Sequence, residues 1–489
     1  MHKARVDGRA TCRFGRRFKP GIQWPATASV RSRRHLHSCY FLGATKMDIS
    51  AQQKLPATDI PIYSDSATDT VYRKITLRLI PFLFICYVAG YLDRINVGFA
   101  QLQMKHDLGF SDAVYGLGAG IFFAGYFLFE VPSNLLLARV GARKTLIRIM
   151  ALWGLTSACM LFIRTPVIFY VLRFVLGACE AGFFPGMILY LTYWYPAKRR
   201  GRVMALFLTA VAMAGVIGGP LSGWVMNHMA GEHGMAGWQW LFLIEGLPSC
   251  VLGVIAYLYL DNDPADATWL TDREKEIVSD QLERDQRTPS LFRGRSFGSA
   301  LKTPRVYTLA FAWFTFICGV YAISFWLPTM IKSAGIADPL SIGLFSAIPY
   351  GFAAITMVVV SRHSDGCVER RFHACACAVI GAIALSAITA TGTNLTMALI
   401  VLSVATSAIF TLQPLFWAIA TDSLGGTRAA AGTIATINSL GLLGGFVSPA
   451  ILGWTKTMTG SLTNGLYVMA VLLLLGAVVS LRFRVTQPK

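Results

Sequence analysis

Stretches of about twenty apolar residues alternate with short polar connections along most of the 489-residue chain. They fall at about 76–98, 113–137, 145–163, 166–194, 203–226 and 239–260, then resume after a polar interval at about 306–331, 339–360, 374–392, 395–420, 429–454 and 464–482. Each is long enough to cross the hydrocarbon core of a bilayer, which takes about 20 residues of α-helix. The pattern predicts an all-α integral membrane protein with twelve transmembrane helices in two six-helix halves, 76–260 and 306–482. Segments 1–75 and 483–489 flank the halves.

The interval 261–305 carries nine acidic and eight basic residues, and Thr271 with Glu274 has the spacing of a capping box that starts a short amphipathic helix. About 45 residues cannot bury an adequate core, so this is a linker between halves and not a soluble enzyme domain.

Composition agrees with lipid as the solvent: 54% of residues are hydrophobic, 14% are charged and the mean hydropathy is +0.53. The net charge of +19 raises the question of nucleic acid, but residues 1–46 alone supply +10, from 11 Lys/Arg against one Asp. The remaining cations sit mostly in loops, as membrane topology requires, and form no nucleic-acid-binding face. Residues 1–46 lack the apolar core of a signal peptide, and although they superficially resemble a transit peptide, Met47-Asp48 opens an ordinary polar lead-in. They are read as upstream sequence outside the native coding region. The ten scattered cysteines read as small apolar fillers, since Cys375 and Cys377 lack metal-site spacing; no metal site or cofactor is expected.

Lys and Arg divide unevenly between alternate loops. One set holds Arg139, Arg143, Lys144, Lys198, Arg199, Arg200, Arg202, Arg362, Arg370, Arg371 and Arg428; the other holds Lys105, Arg164, Lys332 and Lys456. Positive charge is retained on the cytoplasmic side, so both termini are expected there.

Ionisable groups inside spans are costly and mark function by default. Asp93, Arg94, Arg173 and Glu180 lie within predicted spans of the first half, whereas the later six spans carry no Asp, Glu, Lys or Arg away from their ends. Arg173 and Glu180 are seven residues apart and project from one helix face, expected to be the central cavity. Burial favours the protonated form of a carboxyl and a nearby guanidinium favours the ionised one, so an anion arriving at Arg173 changes the proton affinity of Glu180. The bland alternative is internal salt bridges, Asp93-Arg94 and Arg173-Glu180, that brace helices. Glu130, Arg148 and Glu245, nearer the span ends, are read as structural.

Asn134-Leu-Leu-Leu-Ala-Arg139-Val-Gly141-Ala-Arg143-Lys144 is echoed 227 residues on by Ser361-Arg-His-Ser-Asp365-Gly-Cys-Val-Glu-Arg370-Arg371. The first copy resembles the major facilitator signature Gly-x-x-x-Asp-Arg-x-Gly-x-Arg-Arg, with Asn134 and Ala138 replacing its Gly and Asp. Tyr91-Leu-Asp-Arg-Ile-Asn-Val-Gly-Phe-Ala100, Phe129-Glu-Val-Pro-Ser-Asn134, the segment Arg173–Gly186 and the segment Gly237–Pro248 resemble the anion:cation symporter family within that superfamily. Over residues 48–485 the chain is similar to bacterial carriers for tartrate, phthalate, hydroxyphenylacetate and related carboxylates.

The resemblance implies alternating access in a bacterial inner membrane by a monomeric, cofactor-free carrier whose partners are a small carboxylate, protons and the bilayer. It implies that Arg94 and Arg173 bind the substrate carboxylate and that Asp93 and Glu180 carry protons. It implies further that Tyr91, Tyr126, Trp417 and Asn438 line the site, with Arg139, Gly141, Arg143, Lys144, Asp365, Arg370 and Arg371 as gating loops. Tyr321, Gln413 and Ser439 are other polar groups in the apolar half. Proton-coupled import of an organic anion is thus expected. The segment Gly215–Gly223 resembles a motif of drug/proton antiporters, which keeps export as a rival, although such small residues primarily permit close packing. A transporter-like nutrient sensor is the third possibility; enzymatic activity is not expected, since no nucleophile-base set or phosphate loop is present.

Overall fold

The structure is a computed structural model that describes residues 65–287, 303–367, 369–424 and 428–483. The expectation for residues 1–46 lies outside these. Among the described residues, twelve helices or broken helices are long and apolar enough to cross a membrane. Span 1 is α1 (Asp65–Ile95) and α2 (Val97–Leu108); span 2 is α3 (Asp112–Val140); span 3 is α4 (Ala142–Cys159). Span 4 is α5 (Pro166–Glu180) and α6 (Phe183–Trp194), followed by α7 (Ala197–His228) and α8 (Gly237–Tyr259) as spans 5 and 6. The linker contributes α9 (Asp272–Arg287). Spans 7 to 12 are α10 (Pro304–Ser333), α11 (Pro339–Cys367), α12 (Arg370–Ile388), α13 (Leu395–Leu424), α14 (Arg428–Thr459) and α15 (Thr463–Ser480).

Local chemistry sets several boundaries. Ser111 and Thr165 cap α3 and α5 by accepting from the backbone N–H groups of Val114 and Ile168, and Pro166 follows at the first helical position of α5. Thr271 and Glu274 bond reciprocally at the head of α9, so the capping box is present. Large apolar side chains such as Leu155, Val171, Leu258, Ile355 and Val478 point outward and are exposed. Water would penalise that arrangement, whereas lipid does not.

Span 4 breaks directly after Glu180, whereas span 1 keeps helical backbone angles through Asn96. Asn96 marks the boundary between α1 and α2 just after Arg94, and Ala181-Gly182 separates α5 from α6 just after Glu180. Gly182 sits at φ +88, and a Cβ there would stand 2.5 Å from Ser133 Oγ, so glycine is required for both conformation and space.

The protein has two faces. The linker face carries α9 and the α3–α4 loop, where Lys74 reaches Glu274 at 2.8 Å and Arg143 reaches the Tyr257 carbonyl at 2.7 Å. The opposite face carries the α2–α3 loop, where Trp238 donates to Asp107 at 2.9 Å. Near this face the two halves meet backbone to backbone. Gly219 and Gly223 on α7 lie against Gly343 and Pro339 on α11, and Gly116 on α3 lies against Pro449 and Gly453 on α14. The Gly215–Gly223 segment therefore acts here as a packing surface. Gly98 on α2 abuts the carbonyls of Ser324 and Phe325, at 3.2 and 3.1 Å from where a Cβ would stand. α10 is the most buried span, with 78% of its apolar stretch inside, which places it where both halves touch it.

Candidate functional site

Consecutive residues on a helix point about 100° apart, so Asp93 and Arg94 face different surroundings. Asp93 turns into its own half. Its carboxylate accepts from Trp153 Nε1 at 2.6 Å, Ser157 Oγ at 2.7 Å and Ser249 Oγ at 2.9 Å, which ties α1 to α4 and α8. Arg94 turns to the centre, where its guanidinium forms an ion pair with Glu180 and donates to Tyr321 Oη at 2.9 Å. The central ion pair thus joins spans 1 and 4, and Tyr321 reaches it from the other half.

Aromatic faces complete the surroundings of Arg94. Its charge lies 5.4, 5.5 and 5.8 Å from the rings of Phe122, Tyr126 and Tyr91. Tyr91 also shares a hydrogen bond with Ser324 of α10 at 3.1 Å. Arg173 is fully buried between α5 and α3, 5.0 Å over Phe122, and donates to the carbonyls of Gly118 and Ala119 at 3.2 and 3.3 Å. Arg173 and Glu180 do lie on one face, but Arg173 is held by backbone carbonyls while Glu180 holds Arg94. Three polar atoms of this cluster lack a hydrogen-bond partner among the described residues: Arg94 Nε, Arg173 Nη1 and Glu180 Oε2. Buried donors and a buried acceptor left open are costly unless something else binds them.

A second cluster continues from the first. Phe122, Tyr126 and Glu130 recur every four residues and form one stripe on α3. Glu130 is buried and accepts from Asn438 Nδ2 at 2.9 Å and Ser439 Oγ at 2.5 Å, both on α14 of the other half. Asn438 in turn accepts from Trp313, which packs edge-on against Trp417 at 5.2 Å. Tyr91 and Tyr126 therefore lie beside Arg94, while Trp417 and Asn438 belong to the Glu130 cluster.

The chain matches the model of the Major Facilitator Superfamily over residues 83–449. It belongs to that superfamily. It is accordingly a membrane transporter, and its family consists of transporters and not enzymes. It is 45% identical to a "Putative tartrate transporter" of Agrobacterium vitis over 419 residues, 86% of this chain and 92% of the relative. It is 40% identical to a quinolone resistance transporter of Acinetobacter baumannii over 410 residues, 84% of this chain and 94% of that one. Its fold is similar to that of a bacterial homologue of the human lysosomal transporter Spinster in an inward-facing, occupied conformation. The TM-score is 0.67 at 16% identity, covering 84% of this chain and 96% of that one.

The superfamily loop motif is engaged locally. In the first copy Arg139 and Lys144 are exposed, and Gly141 turns the chain between α3 and α4 at φ +87. Arg143 takes Asn262 Oδ1 on its backbone N–H and stacks 5.2 Å over Tyr257, within its own half. In the second copy Asp365 pairs with Arg370 at 2.8 Å, and Arg371 pairs with Glu369 at 3.0 Å.

Sequence reasoning passed over several residues that the structure brings to the centre. Glu130 reads as a near-surface structural acid, yet it is fully buried and contacts the other half. Its pairing with Asn438 and Ser439 gave no signal, because nothing in sequence pairs a residue with one 308 positions away. Tyr321 was one of several polar groups in the apolar half, and only its contact with Arg94 distinguishes it. Trp153, Ser157 and Ser249 carry no charge and so drew no attention, although burial of Asp93 demands such donors.

Proposed function

We propose that the protein is a proton-coupled importer of a small organic anion, with Glu180 as the coupling carboxyl and Arg94 and Arg173 as the anion site. The observation that carries this reading is the single guanidinium of Arg94, shared between Glu180 of its own half and Tyr321 of the other. A substrate carboxylate and Glu180 compete for that guanidinium. When the substrate takes it, Glu180 is left as an unpaired charge in a low-dielectric site unless it gains a proton. Anion binding therefore demands protonation, and release of the anion returns Arg94 to Glu180 and expels the proton. Arg173 Nη1, which has no partner among the described residues, supplies a second donor to the same carboxylate.

Asp93 takes a proton independently of the anion. Its partners include two serine hydroxyls, which donate to an ionised carboxylate and rotate to accept from a protonated one. The positive charge of the linker face supports placing that face, and both termini, in the cytoplasm of a bacterial inner membrane. The opposite face is then external.

Uptake of labelled tartrate into energised vesicles, with and without an inward proton gradient, tests the reading. Glu180→Gln is expected to abolish gradient-driven accumulation while counterflow exchange persists, and Arg173→Ala to weaken binding itself. Undiminished accumulation by Glu180→Gln overturns the coupling role. The 40% identity to a quinolone resistance transporter supports a second reading, export of aromatic acids. Proton-driven uptake of a quinolone into everted vesicles, with no tartrate transport, would establish that reading instead.

A further inference from the structure

We propose that Lys105, Lys332 and Lys456 form a second anion-binding pocket on the face opposite the linker, where an arriving carboxylate competes with Asp112 for Lys456. A cavity of about 340 Å³ opens there, lined among others by Gln101, Lys105, His106, Thr329, Lys332 and Lys456. The connections on this face hold four Lys/Arg in the sequence, and three of them converge on this one cavity. They arrive from spans 1, 7 and 11, so the pocket straddles both halves. Cations are sparse on this face because topology disfavours them, which makes their convergence informative.

Asp112, at the head of α3, holds Lys105 in an ion pair and lies 3.3 Å from Lys456. It is an internal carboxylate already seated between two of the ammonium groups. Next to it the Ala113 N–H donates to Thr457 Oγ1 of the other half at 2.8 Å. Three ammonium groups against one carboxylate leave a positive surplus, while Lys456 also lies 5.5 Å over the buried Trp326 ring. His106 faces the same cavity beside Asp107 at 3.5 Å, and Asp107 is engaged by Trp238.

An external carboxylate entering this cavity replaces Asp112 on Lys456 and removes one tie between the halves where they are closed. The pocket therefore both concentrates anions by their charge and loosens the closure they must pass. This inference rests on organic anions being the substrate class.

The test uses purified full-length protein in detergent and needs no transport. An amine-reactive acetylating ester is applied with tartrate, or with chloride at equal ionic strength, and acetylation is read by mass spectrometry at Lys332 and Lys456 against exposed Lys144. Tartrate is expected to slow acetylation of the two pocket lysines severalfold relative to Lys144, with chloride giving less protection. Equal protection by chloride, or none by tartrate, overturns the pocket. In cells, Lys332→Gln, an exposed position at the end of α10, is expected to raise the external half-saturation concentration about three- to tenfold and flatten its salt dependence. Asp112→Asn is expected to lower it. An unchanged half-saturation in Lys332→Gln, with folded protein at normal yield, also overturns the proposal. Protection without any anion transport would instead overturn the proposed function and leave the pocket standing.

Discussion

One carbonyl takes two of the hydrogen bonds that close the face opposite the linker, and removing its partners has a calculable effect. Pro328 offers no N–H, so the Ser324 carbonyl loses its helical donor at this level of α10. The neighbouring Phe325 carbonyl accepts from Gln101 Nε2 at 3.0 Å and from Tyr115 Oη at 2.9 Å, both in the other half. A neutral hydrogen bond contributes about 0.5–1.5 kcal/mol net. Tyr115→Phe should remove about 1 kcal/mol. Gln101→Leu should remove only about 0.5 kcal/mol, because Gln101 Oε1 has no partner among the described residues and leucine relieves that penalty. The double variant thus shifts the closed state by about 1.5 kcal/mol, roughly tenfold in the open population. Ser324 is buried in the closed state. In a Ser324→Cys background, labelling of residue 324 by an impermeant thiol reagent, quantified by mass spectrometry, should therefore accelerate about tenfold while open protein is the minor species. An unchanged rate in folded double variant would refute the assignment of these bonds to closure.

Gly182→Ala should lose about 1–3 kcal/mol from backbone strain alone, with the clash against Ser133 in addition, read as a lowered Tm in detergent. Glu130→Gln should keep one acceptor for Asn438 and Ser439 but place an amide donor among them, weakening the tie between α3 and α14; transport rate should change while Asp93-dependent packing, followed by Trp153 fluorescence in a reduced-Trp background, does not. Slight burial opposes the ionised form of Glu274, yet the Lys74 ammonium and the bonds with Thr271 hold its carboxyl below the ordinary range. That stabilisation is present above the unfolded value of about 4.3 and fades as pH falls through the lower folded value, so exchange protection of α9 should drop only under acid. Lys74→Gln should move that loss to higher pH.

The twelve spans were legible because lipid demands long apolar helices, a requirement that holds at every span regardless of tertiary packing. The linker helix was legible for a local reason, the spacing of Thr271 and Glu274. The break after Glu180 was hidden inside a continuous apolar stretch, because Ala181-Gly182 resembles any other small pair until its backbone angles are known. The charged residues announced themselves by their cost, but their pairing did not. Adjacent Asp93 and Arg94 suggested a couple, and helical geometry separates them: one is claimed by Trp153, Ser157 and Ser249, the other by Glu180 and Tyr321. Sequence distance conceals such partners, since their selection occurs only in the packed bundle.

The confinement of membrane-embedded charge to one half has a physical rationale in the contacts it makes. The Arg94–Glu180 ion pair lies within the first half, and so do the three bonds to Asp93. Where those charges meet the second half, they meet neutral groups: Tyr321 on Arg94, and Asn438 and Ser439 on Glu130. Breaking a buried ion pair across the interface would cost about 3–5 kcal/mol, because a bare charge is left on each side. Breaking a hydrogen bond between a charge and a neutral group costs about 1.5–3 kcal/mol, and less where water or substrate replaces the lost partner. In a carrier whose halves separate in every cycle, as proposed here, the second kind of contact is the better joint. A charged residue in the second half opposite Arg94 would hold the halves more tightly and slow the very motion that moves the substrate. The lopsided distribution in the sequence thus suits a rocking carrier, with charge on one side and neutral hydrogen-bonding groups on the other.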